Sequence, residues 1–184
     1  MKLYLSLLAL SSLLCAEITF PLNFKSNFHQ TITNEKGKVI TYDGEVAFKN
    51  LDQTLNTQEE YTRSLFKWSY QSPTLKEVCT DGIQLLVVDH DLEQVSYYTI
   101  DDGVNLKEII KVAKQISEDD YKATYKEIEY LITLNKKKEL AQIVYVDSLD
   151  NKVKIIFNNM NYNTTVDEAS LECQAPQSYD VIKG

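Results

Sequence analysis

The sequence predicts a mainly β protein: about nine to eleven antiparallel strands in one sheet, strongly curved or closed, with a single helix in mid-chain. Three observations predict it. Most of the chain after residue 16 carries apolar side chains at alternate positions, the period of a strand with one buried face. Short turn signals such as Asp81-Gly82 and Asp101-Asp102-Gly103 interrupt that alternation at close intervals. One stretch, NLKEIIKVAKQIS, changes to helical spacing.

Residues 1–16 stand apart. Lys2 precedes LYLSLLALSSLLCA, an apolar run too short to span a bilayer comfortably, and Glu17 opens a polar sequence. This is the pattern of a secretory signal peptide with cleavage after Ala16. An alternative makes Cys15 a lipid-modified N-terminus, although bulky Leu14 precedes it where a small residue belongs. Cleavage after Ala16 leaves 184 − 16 = 168 residues and, with Lys2 gone, a net charge of −8 − 1 = −9. The 43% hydrophobic content suits one domain, 17–184, with a real core. The acidity excludes a nucleic-acid binder, which would carry a basic stripe. An exported, oxidising compartment follows, and with it two open states for Cys79 and Cys173: a disulfide, or two buried thiols.

The elements then follow in order. Ile40, Tyr42, Val46 and Phe48 share one strand face, with Gly44 between them. Phe66, Trp68 and Tyr70 share the next, so three large rings line up on one side. Val78 and Cys79 run into the Asp81-Gly82 turn; Ile83, Leu85 and Val87 return, and HDLE turns the chain into Val95 and Tyr97. The helix is expected over Asn105 to Ile116, with Leu106, Ile109, Ile110, Ala113 and Ile116 as its apolar stripe. Tyr121, Ala123 and Tyr125 resume the alternation, followed by Ile128, Tyr130, Ile132 and Leu134. Ile143 and Tyr145, then Val153, Ile155 and Phe157, form two more strands, and a last short one is expected around Leu171 to Cys173. With 12 Tyr and 6 Phe, the faces are unusually aromatic. Two readings are open: a curved sheet around an apolar ligand cavity, or an ordinary core completed by the helix.

The catalytic inventory is thin. His29 and His90 are the only histidines, and no GxSxG, CxxC, P-loop or GxGxxG occurs. Asp89-His90-Asp91 has metal-ligand chemistry but lies between two strands, where a solvated turn is the simpler reading; Glu118-Asp119-Asp120 reads as a polar loop. Asn163-Thr164-Thr165 matches a glycosylation acceptor, too common a pattern to carry weight.

The order of motifs carries more. Phe24-Lys-Ser-Asn-Phe28-His-Gln30 opens the series; Gly44-Glu-Val-Ala-Phe48-Lys, then LFKWSYQSP, Asp81-Gly82 and Leu92-Glu-Gln94-Val95 follow; the lone helix is mid-chain and LECQAPQSYDVI comes near the end. From Phe24 to Ile182 this series resembles the periplasmic outer-membrane lipoprotein carrier family, LolA. The resemblance implies an unclosed antiparallel β-barrel of about 10–11 strands with a helical lid, and a cavity for lipoprotein acyl chains. It implies lipid-binding roles for Phe24, Phe28, Tyr42, Val46, Phe48, Phe66, Trp68 and Tyr70, and a lid built on Leu106, Ile109, Ile110 and Ala113. Arg63 is the nearest match to the family's lid-latching arginine, and Asn50 takes that place when counted from the preceding strand. Two features depart from the family: only Glu17 to Asn23 remain before the first motif, where an amphipathic helix usually stands, and NLDQTLNTQEEYTRS lengthens a connection.

The implied function is a periplasmic chaperone, not an enzyme, without cofactor or metal. Its implied partners are acylated lipoproteins, an inner-membrane lipoprotein-releasing ABC transporter (LolCDE-like) and an outer-membrane receptor (LolB-like); a monomer is expected. Two other classes are a membrane-tethered acceptor of the same fold, lipidated at Cys15, and an exported acyl-ester hydrolase.

Overall fold

The computed structural model describes residues 18–52, 62–99 and 106–183. The expected signal peptide, its cleavage site and Cys15 lie outside the described residues, as does the side chain of Arg63.

The strands are β1 (Asn23–Thr33), β2 (Val39–Asp52), β3 (Thr62–Ser72), β4 (Lys76–Thr80), β5 (Gln84–Asp89), β6 (Gln94–Thr99), β7 (Lys114–Gln115), β8 (Asp120–Tyr125), β9 (Ile128–Leu134), β10 (Leu140–Val146), β11 (Lys152–Tyr162) and β12 (Asp180–Lys183), with helix α1 (Leu106–Lys111) before β7. They form one sheet in the order β12-β6-β5-β4-β3-β2-β1-β11-β10-β9-β8-β7. Its two ends, β12 and β7, are not neighbours, so the sheet is unclosed as expected.

Ring contacts measure its curvature. Trp68 of β3 and Phe157 of β11 are three strands apart, about 14 Å on a flat sheet, yet their ring centroids are 6.1 Å apart. The sheet therefore wraps around its inner face. One cluster fills that hollow: Phe24, Phe28, Val46, Phe48, Tyr121, Tyr130, Ile132, Ile143, Val153, Ile155 and Phe157 from the strands, with Ile109 and Ile110 from α1. The period-two faces read from the sequence are the faces found. Phe24 opposes Phe48, Phe28 opposes Gly44, and Gln30 opposes Tyr42 across β1 and β2. Gly44 is required there: a Cβ would meet the Phe28 ring at 2.9 Å and run into the Ser69 carbonyl oxygen.

Three expectations need correction. The expected 10–11 antiparallel strands are twelve among the described residues: β1, β7 and β12 add to those read from the alternation, the one expected around Leu171 to Cys173 does not form, and β12 runs parallel to β6. The helix ends at Lys111 rather than Ile116. Beyond it, Lys114 and Gln115 pair with Lys122 and Tyr121. The turn that brings them back is closed by Ser117 and Asp120, whose Oγ and Oδ2 are 2.8 Å apart. A tight hairpin thus captures the last helical turn, and Ile116, expected on the buried stripe, is exposed. Finally, the region expected as a last strand holds a 3₁₀ helix, Glu168–Leu171, whose Leu171 packs with Leu65 and Val166 on the outer face.

The C-terminal segment crosses that outer face and is well fastened. Cys173 is joined to Cys79 of β4 by a disulfide, with Cα atoms 5.8 Å apart and 94 residues between them. Of the two open cysteine states, the paired one holds. Lys67 bridges to Glu77 at 2.8 Å and donates to the Glu172 carbonyl at 3.0 Å; Lys49 bridges to Glu168 at 2.9 Å.

Candidate lipid-binding site

The inner face is packed unequally. Along β8 to β11 most of its side chains are closed off beneath α1, with Tyr125, Ile128 and Tyr145 half-buried at the margin: Ile109 is 0% exposed and Ile110 is 3% exposed. Along β3 to β5 much of the same face is only half-covered, although Thr80 and Leu85 within it are buried. Phe66, Trp68 and Tyr70 are half-buried, as are Val78 and Val87, which follow Trp68 across the ladder. Tyr98, opposite Leu85 on β6, is 42% exposed. An apolar aromatic wall thus runs from the closed core to open space.

Its inner margin is a ring cluster. Phe28 is the hub, 4.9 Å from Trp68 and 5.1 Å from Tyr70, both edge-on. Tyr42 meets Tyr70 at 5.7 Å. Towards the other end, Phe24 stacks on Phe48 at 5.3 Å. The structure therefore brings all eight sequence-derived lining residues onto one face. Phe24, Phe28, Val46 and Phe48 lie in the closed core, while Tyr42, Phe66, Trp68 and Tyr70 lie at its half-covered edge.

Two packing features were missed by sequence reasoning. Ile18 and Phe20 lie against the same cluster, with Phe20 edge-on to Phe48 at 5.0 Å and to Phe24 at 5.9 Å. A short extended segment occupies the place expected of an amphipathic helix. Alternating apolar residues across Pro21 were the available signal. The second feature is the tie between α1 and β2: Lys107 Nζ donates to Asn50 Oδ1 at 3.2 Å. The latch position counted from β2 thus holds an acceptor, and the cation sits on the helix. Lys107→Ala should remove about 1 kcal/mol of local stability. Amide exchange at Ile109 and Ile110 should then speed up about fivefold with the sheet unchanged; equal acceleration throughout would place this contact in global stability instead.

The polar candidates are held in structural roles. His29 Nδ1 lies 2.7 Å from Asp43 Oδ1 at the surface, and His90 Nδ1 lies 3.1 Å from the Tyr179 hydroxyl. Asp89 bridges to Lys76 at 3.1 Å and Asp91 accepts from the Leu75 N–H at 3.0 Å, so Asp89-His90-Asp91 is a fastened turn. Asp119 bridges to Lys138 at 2.8 Å.

Burial, aided by the neighbouring Tyr42 hydroxyl, pushes the Tyr70 hydroxyl up to about 12. A phenol raised in the folded state holds its proton after the unfolded chain has lost it. Stability is therefore intact below pH ~10 and falls between about 10 and 12, by on the order of 2 kcal/mol. Tyr70→Phe should flatten that part of a pH–denaturation profile; an unchanged slope would show that Tyr70 titrates normally.

No family model matches the chain. An outer-membrane lipoprotein carrier protein of Campylobacter jejuni is 34% identical over 160 residues, covering 87% of this chain and 86% of that protein. The chain belongs to the outer-membrane lipoprotein carrier protein family. Relatives of the same name from Wolinella succinogenes, 29% identical over 88% of this chain and 87% of that protein, and Helicobacter hepaticus, 24% identical over 88% and 83%, accompany it. Among solved structures, a LolA superfamily protein from Nitrosomonas europaea superposes with a TM-score of 0.48 at 9% identity, covering 85% of this chain and 93% of that one. For this carrier-family chain, the half-covered aromatic wall is the site to explain.

Proposed function

We propose that this chain is a periplasmic chaperone that takes up the acyl chains of lipoproteins released from the inner membrane and carries them to the outer membrane. The observation that carries this reading is the unequal packing of one face. Phe66, Trp68, Val78 and Val87 continue the buried surface outward but stay half-buried, so the face has apolar area to offer a guest. The family name of the relatives supports the same cargo.

The physics of the task sets what the site must be. Each buried CH₂ is worth about 0.8 kcal/mol, so several long chains hold a membrane almost irreversibly. A carrier must accept such chains and release them again. Aromatic and aliphatic walls supply non-directional contact without a shape-specific grip. Helix α1 is the lid. It closes on Ile109 and Ile110 when the carrier is empty, and Leu106 and Ala113 extend its contact. Arg63 keeps the latch role that the family resemblance implies. The domain is residues 17–184 after removal of 1–16, working as a monomer. An inner-membrane lipoprotein-releasing ABC transporter loads it, and an outer-membrane receptor accepts the cargo. Among the described residues no helix is long and apolar enough to cross a membrane. The net charge of the mature chain, −8 − 1 = −9 with Lys2 removed, limits lingering on anionic bilayers.

Purification from the periplasm followed by mass spectrometry tests the reading. Acylated lipoproteins should co-purify, and the mature N-terminus should begin near Glu17. A protein recovered only in membranes with an acylated Cys15 supports the tethered acceptor instead. Ester hydrolysis that survives replacement of neither His29 nor His90 supports the hydrolase.

A further inference from the structure

The half-covered end of the inner face is not purely apolar. Tyr42 on β2, Tyr70 on β3 and Tyr145 on β10 all pack against the main cluster, and Gln30 on β1 opposes Tyr42 in the ladder. Gln30 is only 8% exposed. Strand order puts β3 and β10 four strands apart, about 19 Å on a flat sheet. Curvature closes much of that gap: Trp68 of β3 meets Phe157 of β11 at 6.1 Å, β10 is the next strand, and the Tyr70 hydroxyl adds to the burial that pushes Tyr145 up. Tyr42 acts on Tyr70 in the same way. With the Tyr42 and Tyr70 rings 5.7 Å apart, three phenols and a carboxamide share this end of the inner face.

None of these four side chains makes a hydrogen bond among the described residues. The contrast is Tyr162, whose hydroxyl accepts from the Leu140 N–H at 2.7 Å. Among the described residues, Thr74 Oγ1 is the only fully enclosed side-chain oxygen or nitrogen that lacks a partner. The three partnerless phenols and Gln30 therefore open onto accessible space. With no protein partner, these donors are met by water in the empty fold and are free for a guest that displaces it.

We propose that the Tyr42, Tyr70 and Tyr145 hydroxyls and the Gln30 carboxamide form a carbonyl-binding site for the ester or amide groups of a bound acyl lipid. This rests on the carrier reading and says where in the cavity the polar end of the cargo sits. Phenol O–H and amide N–H donate; ester and amide carbonyls accept. The strand backbones cannot substitute, because their N–H groups are used in the ladder. From Tyr42 to Phe48 along β2 is about 20 Å, enough for a long acyl chain to run past Phe28 and Trp68 with its carbonyl at the tyrosine end. Acyl chains alone give a carrier no orientation; a carbonyl site at one end does.

Trp68 provides the readout, since it touches Phe28, which touches Tyr70. The probes are 1,2-dioctanoylglycerol, its ether analogue 1,2-dioctylglycerol, and dioctanoyl phosphatidylglycerol, titrated into the full mature chain. The wild type should bind the ester about tenfold more tightly than the ether, the gain of about two neutral hydrogen bonds. The Tyr70→Phe, Tyr145→Phe double variant should bind ester and ether equally. Its melting temperature should not fall. Equal binding of ester and ether by the wild type, or an ester preference that survives in the double variant, overturns the carbonyl site and leaves the carrier reading standing. Failure of all three probes overturns both. A diacylglyceryl-cysteine peptide outcompeting the phosphatidylglycerol assigns the carbonyls to lipoprotein; the reverse order keeps the site and assigns it to free lipid.

Discussion

Ile109→Asp is expected to abolish lipid retention while the sheet still melts cooperatively. Ile109 is 0% exposed and Ile110, beside it, 3%, both within the main cluster. A carboxylate fixed at that position would be buried without a partner, an arrangement that costs several kcal/mol. The chain has a cheaper response, which is to undock α1. The helix is six residues long, and its fully buried apolar side chains are two. Undocking therefore forfeits about 3–6 kcal/mol of apolar burial, and that sets the ceiling on the loss. Heat should unfold the variant in one transition at a lower temperature, with amide exchange fast in α1 and slow in β1, β2, β9 and β10. Acylated protein should no longer co-purify. A variant with no folded sheet at all would make α1 a permanent part of the core and remove the lid.

The fold was legible where one physical signal dominated. Period-two alternation in Tyr42, Val46 and Phe48, in Phe66, Trp68 and Tyr70, and in Tyr130, Ile132 and Leu134 placed each set on the face where it lies. Asp81-Gly82 marked its hairpin because Asp81 Oδ1 accepts from the Ile83 and Gln84 N–H groups, chemistry that is local in sequence. The misses have a different origin. Lys114 to Ile116 carry a helical pattern, and only their pairing with β8 overrides it. Asp180–Lys183 becomes a strand because β6 offers a free edge in parallel register, a long-range event with no local signature. The site divides likewise. Its aromatic wall was readable from Phe66, Trp68 and Tyr70, whereas the convergence of Tyr42, Tyr70 and Tyr145 depends on how far the sheet bends. Lys107 lies off the apolar stripe of the helix, where its sequence neighbours give it no partner. Its tie to Asn50 joins residues 57 apart and became visible only in three dimensions.

Phe66→Glu is expected to leave a folded protein that no longer loads acyl chains. Phe66 opposes Phe48 on one side and Thr80 on the other, and it is half-buried, unlike Phe48, which is closed off. A glutamate at Phe48 would have no route to water. At Phe66 its three-atom stem can turn the charge outward, so the fold loses mainly the buried part of one ring, about 1–2 kcal/mol. For a guest the consequence is far larger. An acyl chain drawn along Phe66 towards Trp68 would have to strip water from the carboxylate or stay away from that wall, and a desolvated unpaired charge costs more than several buried CH₂ groups return. Affinity for an acylated peptide should fall by at least about a hundredfold. Trp68 reports both quantities in one experiment. Its emission should keep the folded spectrum in the variant and lose the ligand-dependent shift found in the wild type. An unfolded variant combined with a wild-type Trp68 that ignores every acylated ligand would return Phe66, Trp68 and Tyr70 to ordinary core packing.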